Sequence, residues 1–212
     1  MVRTGVRART LKELLTGIGL RPAPAARSAP RIEALPAELA NMVGDFYQAI
    51  GGRFEAVARL RPGPWDLAFE GSPVVELDEE LHFNRYRAFA LEADCSSTLP
   101  WRDDYLTFCR EHEAPCLSAG TWGKWWTTTS SEVMFGAADA PGILGPRGAP
   151  RWKQRALYDL IKDLAALSDT SLRLLRLSTY DSIDGVAIDA ALLGHAAPDP
   201  EALADLVKRR ST

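Results

Sequence analysis

The chain has 212 residues, of which 46% are hydrophobic, and its formal net charge at pH 7 is −3. This apolar content can form the core of one medium-sized domain without a disulfide framework. The three cysteines include no CxxC pair, which argues against a structural zinc site and favours a reducing compartment. No apolar run is long enough for a membrane span, and the arginine-rich start has no apolar segment typical of a secretory signal. We therefore expect a cytoplasmic protein without membrane contact.

Residues 1–34 are predicted to form a basic arm and a linker. Residues 1–35 carry seven arginines and lysines and two glutamates. Such an arm can bind phosphate groups, and it is also consistent with a solvated tail that keeps the chain soluble. Residues 10–20 are predicted to form a short amphipathic helix with Thr10 as its N-cap, and the Pro/Ala-rich residues 21–31 are predicted to form the linker.

The main domain is expected to span residues 35–212. A first helix begins near Pro36, and Gly51-Gly52 ends it. Short strands and further helices follow along the chain, in an order typical of an α/β fold. The predicted elements are strands Phe54–Leu60, Trp65–Glu70 and Pro73–Leu77, a helix from about Glu79 to Ala93, a helix Arg102–His112, a helix over residues 151–167, a strand Leu172–Leu177 and a helix Pro200–Arg209. Residues 96–150 are too long for a simple connection, which indicates a functional insertion.

Acidic residues follow the apolar start of the third strand candidate, in the stretch VVELDEELH from residue 74 to residue 82. If the second and third strands pair through the turn at Gly71-Ser72, the carboxylates of Asp66, Glu76 and Asp78 are expected to converge. Three carboxylates at one place repel one another unless a cation lies between them, and oxygen ligands favour Mg²⁺ or Mn²⁺. His82, one helical turn beyond Asp78, could then move a proton.

A structural interpretation explains part of the same cluster. Asp78 suits a helix N-cap, Glu79 and Glu80 suit the first turn of that helix, and His82 could be an ordinary surface residue. It does not explain Glu76 inside an apolar strand or Asp66 between Trp65 and Leu67, because a buried charge is costly without a partner.

These motifs resemble the PD-(D/E)XK nuclease superfamily, and within it the branch of very-short-patch-repair endonucleases. The resemblance rests on an acidic residue in the first helix, Glu38, on Trp65-Asp66-Leu67 and on the spacing Glu76-x-Asp78-x-x-x-His82. The later segments RWKQRALYDLIKDL and LRLLRLS resemble the helix and strand that close such a core. The implied fold is a three-layer restriction-endonuclease-like α-β-β-β-α-β core with a mixed sheet and an inserted α-rich subdomain.

The resemblance also implies an activity, the Mg²⁺-dependent hydrolysis of DNA phosphodiester bonds by an endonuclease or nickase of a repair or defence system. It implies that Asp66, Glu76 and the Leu77 carbonyl bind the metal. His82 is then the catalytic histidine and Glu38 an accessory acid. The superfamily usually has a lysine two residues after the glutamate, where this chain has Asp78. Another cation would then have to stabilise the transition state, and the candidates are Lys153, Arg155, Arg85 and Arg87.

Two further groups of residues are candidates for contact with DNA. Arg85 and Arg87 follow His82 directly and could bind the DNA backbone, or they could be solvent-exposed arginines on a helix whose other face lies in the core. Lys124 and Trp125 belong to a Trp- and Thr-rich segment that could stack on bases and hold phosphates, or pack in the core. Trp101 and Trp152 are predicted core residues.

An alternative function is an inactive nuclease-fold module. Such a module would bind nucleic acid or a protein partner through the N-terminal arm or the Trp-rich insertion. The chain has no GxxxxGK[ST] or GxGxxG motif, so neither interpretation includes a nucleotide cofactor.

Overall fold

The computed structural model describes residues 5–53 and 60–212, and most of the predicted strand Phe54–Leu60 lies outside them. The helices are α1 (Val6–Gly17), α2 (Ala37–Ala49), α3 (Arg85–Glu92), α4 (Arg102–Gly120), α5 (Thr129–Phe135), α6 (Pro150–Ser168), α7 (Ile188–Leu192) and α8 (Pro200–Arg209). The strands are β1 (Leu67–Ala68), β2 (Pro73–Asp78), β3 (Arg173–Ser178), β4 (Ser182–Ile183) and β5 (Val186–Ala187). The fold is mixed α/β, and none of the helices in the described ranges is long and apolar enough to cross a membrane.

The chain forms two compact units. Unit 1 contains residues 5–28, 63–79 and 169–212, and unit 2 contains the described parts of residues 29–62 together with residues 80–168. Residues 96–150 therefore belong to unit 2 together with α2, α3 and α6, and do not form a separate subdomain.

Unit 1 is built around a three-stranded mixed sheet with the strand order β1-β2-β3. β1 is antiparallel to β2, and β2 is parallel to β3 with Glu76 beside Arg176 and Asp78 beside Ser178. The predicted strands Pro73–Leu77 and Leu172–Leu177 are thus confirmed within one residue. The predicted strand Trp65–Glu70 is shortened to Leu67–Ala68.

The apolar face of this sheet packs against helices α1, α7 and α8. Alternate residues of β2 and β3 point to this face because strand side chains alternate with a period of two. The core contains Leu11, Leu15, Phe69, Val75, Leu77, Leu175, Leu177, Ile188, Leu192, Leu203 and Leu206. Helix α1 thus begins at Val6 and contributes to the core, and Thr10 lies inside it rather than at its N-cap.

Residues 21–28 run along β1 instead of forming a separate linker. The N–H of Glu70 donates to the Arg21 carbonyl at 2.7 Å, and the N–H of Trp65 donates to the Arg27 carbonyl at 3.0 Å. Arg7 is buried and ion-paired with Asp189 at 2.7 Å. Residues 5–28 are therefore an integral part of unit 1.

The other face of β2 and β3 carries buried polar side chains. Both carboxylate oxygens of Asp78 accept hydrogen bonds from one guanidinium nitrogen of Arg176, at 2.8 and 2.7 Å. Both residues are buried. Asp78 is the last residue of β2 and caps no helix, so the interpretation of Asp78 as an N-cap is wrong. The ion pair joins the two parallel strands at a position where an unpaired charge would be strongly unfavourable.

Unit 2 is helical and is organised around α6, which confirms the predicted helix over residues 151–167. Apolar residues of α6 pack against α2 and α5, and they recur at helical spacing. The shared core contains Val43, Phe46, Tyr47, Ile50, Met134, Phe135, Ala156, Leu157, Leu160, Ile161 and Leu164. A second cluster brings Trp126 against Trp152, with ring centroids 5.4 Å apart. Trp101 and Trp152 are buried, as predicted.

Two helices of unit 2 differ from the predicted boundaries. The predicted helix from Glu79 to Ala93 begins only at Arg85, because the Asn84 side chain accepts hydrogen bonds from the N–H groups of Tyr86 and Arg87. Residues Glu80–His82 form a separate 3-10 turn. The predicted helix Arg102–His112 continues to Gly120 through Pro115.

Lys153, in the first turns of α6, is buried with 5% of its surface exposed. Its ammonium lies 5.5 Å from the ring centre of Tyr86 and 5.8 Å from that of Phe135. In residues 5–53 and 60–212, no hydrogen bond or ion pair binds this ammonium. Burial therefore lowers the pKa of Lys153, although Asp139 acts in the opposite direction.

We expect the substitution Arg176→Met to lower the free energy of unfolding by about 3–5 kcal/mol, because it removes the arginine that neutralises a buried carboxylate. Urea denaturation measures this change. Arg173→Met is the matched control, because Arg173 is exposed on the same strand, and it should change stability by less than about 0.5 kcal/mol. An equal effect of both substitutions would contradict a special role for the Asp78–Arg176 pair.

Lys153 should make stability depend on pH in the alkaline range. Its pKa is lower in the folded protein than in the unfolded chain, so the unfolded chain binds more protons between the two values and stability rises with pH there. We therefore expect the free energy of unfolding of Lys153→Met, minus that of the parent, to decrease as the pH rises toward the ordinary lysine pKa. Urea denaturation at several pH values measures this, and Lys208→Met, at an exposed position, should show no such trend.

Candidate functional site

The structure brings two of the predicted carboxylates together in unit 1. The pairing of Leu67 with Val75 places Asp66 opposite Glu76. The Asp66 N–H donates to Glu76 Oε1 at 3.3 Å, and the Leu77 N–H donates to Asp66 Oδ2 at 2.9 Å. Asp66 is exposed, whereas only 3% of Glu76 is exposed. One exposed and one buried carboxylate thus lie opposite each other at the start of β1.

Asp78 has a different environment from these two residues. Its charge is balanced by Arg176, with which it forms an ion pair at 2.7 Å. That Asp78 shares a cation with Asp66 and Glu76 stays a prediction. One sequence signal could have identified the partner: Arg176 lies between leucines in the apolar segment LRLLRLS, where a charge requires a buried counter-ion.

His82 belongs to unit 2 and forms a pair with Asp159 of α6. His82 Nδ1 lies 2.8 Å from Asp159 Oδ2, and Asp159 is buried. In the neutral ring, this hydrogen bond places the proton on Nδ1 and leaves Nε2 as an acceptor, which is the arrangement of an oriented general base. The sequence did not single out Asp159, because an acidic residue in an amphipathic helix is expected on its solvated face.

Two residues predicted to contact DNA are buried and therefore unsuited to that role. Arg87 forms an ion pair with Asp163 at 2.7 Å, and both side chains are buried in unit 2. Lys153 is the buried lysine near Tyr86 and Phe135. For these two residues the prediction is wrong, because a side chain that packs in the core cannot reach a polyanion at the surface.

The other predicted residues of unit 2 are at least partly exposed. Arg85 binds Glu113 with two hydrogen bonds of 2.9 Å, which hold the pKa of the Glu113 carboxyl below its usual value and raise the pKa of Arg85. Arg155 donates to the Leu81 carbonyl at 3.0 Å. Glu38 is exposed in the first turn of α2.

The Trp-rich segment divides between core and surface. Trp126 is buried, and its Nε1 donates to the Asp139 carbonyl at 2.9 Å. Trp122 and Trp125 are among the exposed large side chains, and Trp122 is 74% exposed. The ammonium of Lys124 lies 5.0 Å from the ring centre of Trp125. Two exposed indoles with an adjacent cation form a surface suited to stacking, since indole rings are rarely left in water without a partner.

Residues 45–194 match the model of a protein family that is described as a family of unknown function (DUF7255). No curated protein and no solved structure matches the chain. The matched range contains Asp66, Glu76, His82 and Asp159, but the family description gives no activity and lends no support to the nuclease resemblance, which stays a prediction. Because the matched range covers more than half of the sequence, the chain belongs to the DUF7255 family.

Proposed function

We propose that this protein is a metal-dependent phosphodiester hydrolase that cleaves DNA, with its metal at Asp66 and Glu76. The observation that carries the proposal is the pairing of these two carboxylates across β1 and β2, with backbone N–H groups holding one oxygen of each. A carboxylate can accept up to about four hydrogen bonds or metal contacts, so these backbone hydrogen bonds are compatible with coordination of a cation.

The donor set fits a hard divalent cation. Two carboxylates at one strand pair repel each other in the absence of a cation, and oxygen ligands favour Mg²⁺ or Mn²⁺ over softer metals. The Leu77 N–H points toward Asp66, and in a strand the carbonyl of a residue points to the same side as its N–H. Asp66, Glu76 and the Leu77 carbonyl would therefore hold the ion. When bound, such an ion polarises a phosphate oxygen and lowers the pKa of a water molecule.

The order of elements along the chain supports a restriction-endonuclease-like core. Helix α2 precedes β1 and β2, and α6 precedes β3, which is parallel to β2. The first strand of such a core would correspond to Phe54–Leu60, most of which lies outside the described residues. A parallel pair requires a long crossover, and here the crossover contains α6.

The resemblance assigns proton transfer to His82, and the environment of this residue within unit 2 suits that role. Its hydrogen bond to Asp159 restricts the imidazole to one orientation, and Nε2 would accept a proton. Arg155 and Arg85 are the proposed cations for phosphate, since Arg87 and Lys153 are buried.

The second candidate function is a nucleic-acid-binding module without hydrolytic activity. Trp122, Lys124 and Trp125 favour it, because exposed indoles beside a lysine can stack on unpaired bases of any sequence. This surface would serve either function, so only the metal response and cleavage separate the two.

The first test is thermal melting of the parent with Mg²⁺ or Mn²⁺. A cation that binds only the folded protein stabilises it by about 2.7 kcal/mol at 100 times its dissociation constant, so the melting temperature should rise. The double substitution Asp66→Asn/Glu76→Gln keeps both hydrogen-bond acceptors and should abolish the rise. Glu70→Gln removes an exposed carboxylate of unit 1 and should preserve it. A parent that does not respond to either ion would contradict the metal site.

Cleavage of supercoiled and nicked plasmid DNA is the second test. We expect nicking by the parent with Mg²⁺ and a reduction to background in Glu76→Gln, because the substitution removes a metal ligand but keeps the fold. A parent that binds the cation and single-stranded DNA without cutting would support the binding module instead. Equal cutting by the parent and Glu76→Gln would exclude Glu76 from the reaction.

A further inference from the structure

Unit 2 contains an open cavity that has no role in the proposed hydrolysis. It has a volume of about 350 Å³ and lies between α2, α3, α6 and the 3-10 turn Asp94–Ser96. Its apolar wall consists of Met42, Phe46, Ala49, Phe89 and Leu160. We call it the α2–α3 groove. Its volume lies at the lower end of the range for small-molecule sites, about 300–1,000 Å³.

The wall of the α2–α3 groove exposes one aromatic ring, Phe89, which packs on the buried ring of Phe46. The rings of Phe46 and Phe89 have centroids 5.7 Å apart and are tilted by 35°. Phe89 is 47% exposed, although it belongs to a helix with a well-packed opposite side. An exposed aromatic ring in a concave apolar surface is typical of a ligand site, because burial of that ring on binding is favourable.

The charged residues of the α2–α3 groove all have the same sign. Asp45, Glu92 and Asp94 line it, and it has no basic lining residue among the parts of the chain that the structure describes. Glu92 lies 3.6 Å from Arg110, whereas Asp45 and Asp94 form no ion pair within the described ranges. Carboxylates beside a concave apolar wall concentrate a negative potential there, which attracts cations and repels anions.

We propose that the α2–α3 groove binds a small organic cation with an apolar, preferably aromatic, body. The body packs against Phe89, whose exposed ring also attracts a cation. The ammonium group lies toward Asp45 and Asp94. The ligand is a free small molecule, because a cavity of about 350 Å³ fits a few rings or side chains and is too small for an inserted helix.

A cysteine in the lining provides a natural reporter for occupancy. Cys95 is half-buried in the α2–α3 groove, whereas Cys109 and Cys116 are buried. Burial raises the pKa of the Cys95 thiol, and it raises that of Cys116 to about 12. Iodoacetamide should therefore alkylate Cys95 first under mildly alkaline conditions, and a bound ligand should slow this reaction.

The test compares three probes with the same aromatic body. 2-Phenylethylammonium carries a positive charge, 2-phenylethanol is neutral and 3-phenylpropionate carries a negative charge. We expect protection of Cys95 from alkylation, followed by intact mass, in the order cation, neutral compound, anion, and a matching order of affinities by calorimetry. Equal protection by all three probes, or by none, would overturn the proposal.

Substitutions then assign the interaction to the groove. Asp45→Asn and Asp94→Asn should each weaken binding of the cation by about two- to fivefold, as expected for exposed ion pairs. Phe89→Ala should weaken all binding. Asp205→Asn, at an exposed position in unit 1, is the control for net charge and should have no effect. Thermal melting of each variant checks that it is folded.

A further experiment distinguishes binding of a small ligand from binding of a peptide. A short peptide with phenylalanine flanked by lysines offers the same chemistry on a larger body. Tight protection by this peptide, without protection by 2-phenylethylammonium, would overturn the small-ligand proposal in favour of peptide docking. The groove lies outside the proposed metal site, so a failure here leaves the metal-binding and cleavage tests unaffected.

Discussion

The register of β2 against β3 is the constraint on which unit 1 depends. The two strands alternate between an apolar side, which carries Val75 and Leu77, and a polar side, which carries Glu76 and Asp78. A slip by one residue would turn the carboxylates toward Leu11 and Leu15 of α1. The Asp78–Arg176 ion pair opposes such a slip because only the observed register neutralises both buried charges. The Asp66–Glu76 pair depends on the second register of this sheet, that of β1 against β2, which places Asp66 opposite Glu76.

Unit 2 is also held together by pairs of acidic and basic side chains, but here they join helices instead of strands. Its central helix α6 is apolar toward α2 and α5, yet it also holds the buried carboxylates of Asp159 and Asp163. Each has a basic partner that arrives from the segment around α3, namely His82 and Arg87. These pairs fix α3 and its preceding turn to α6 more specifically than apolar contacts do, because a displaced charge would lose its partner in a region of low dielectric constant. One of the two pairs is fully buried and structural, whereas the other has a partly exposed imidazole.

Local patterns in the sequence predicted much of this arrangement. The helix over residues 151–167 and the strands β2 and β3 follow from apolar periodicity, and the approach of Asp66 to Glu76 follows from one short turn at Gly71-Ser72. The predicted start of α3 at Glu79 is wrong because Asp78 and Asn84 both suit an N-cap. In the structure β2 extends through Asp78, so Asn84 is the residue that caps α3. Arg87 and Lys153 resembled surface cations because burial among Tyr86, Tyr105 and Phe135 depends on distant parts of the chain. Asp159 was missed for the same reason, since His82 reaches it only in the folded unit.

The order of segments along the chain affects how the protein can fold during synthesis. Unit 1 needs α1 and β2 from the early part of the chain, but β3 and α8 come after all of unit 2. While the ribosome makes residues 80–168, the β3-facing edge of β2 has no parallel neighbour and the Asp78 carboxylate has no arginine. Unpaired strand edges of this kind promote aggregation of nascent chains. Unit 2 therefore has the opportunity to fold first, and the emergence of LRLLRLS from the ribosome is the event that allows unit 1 to close.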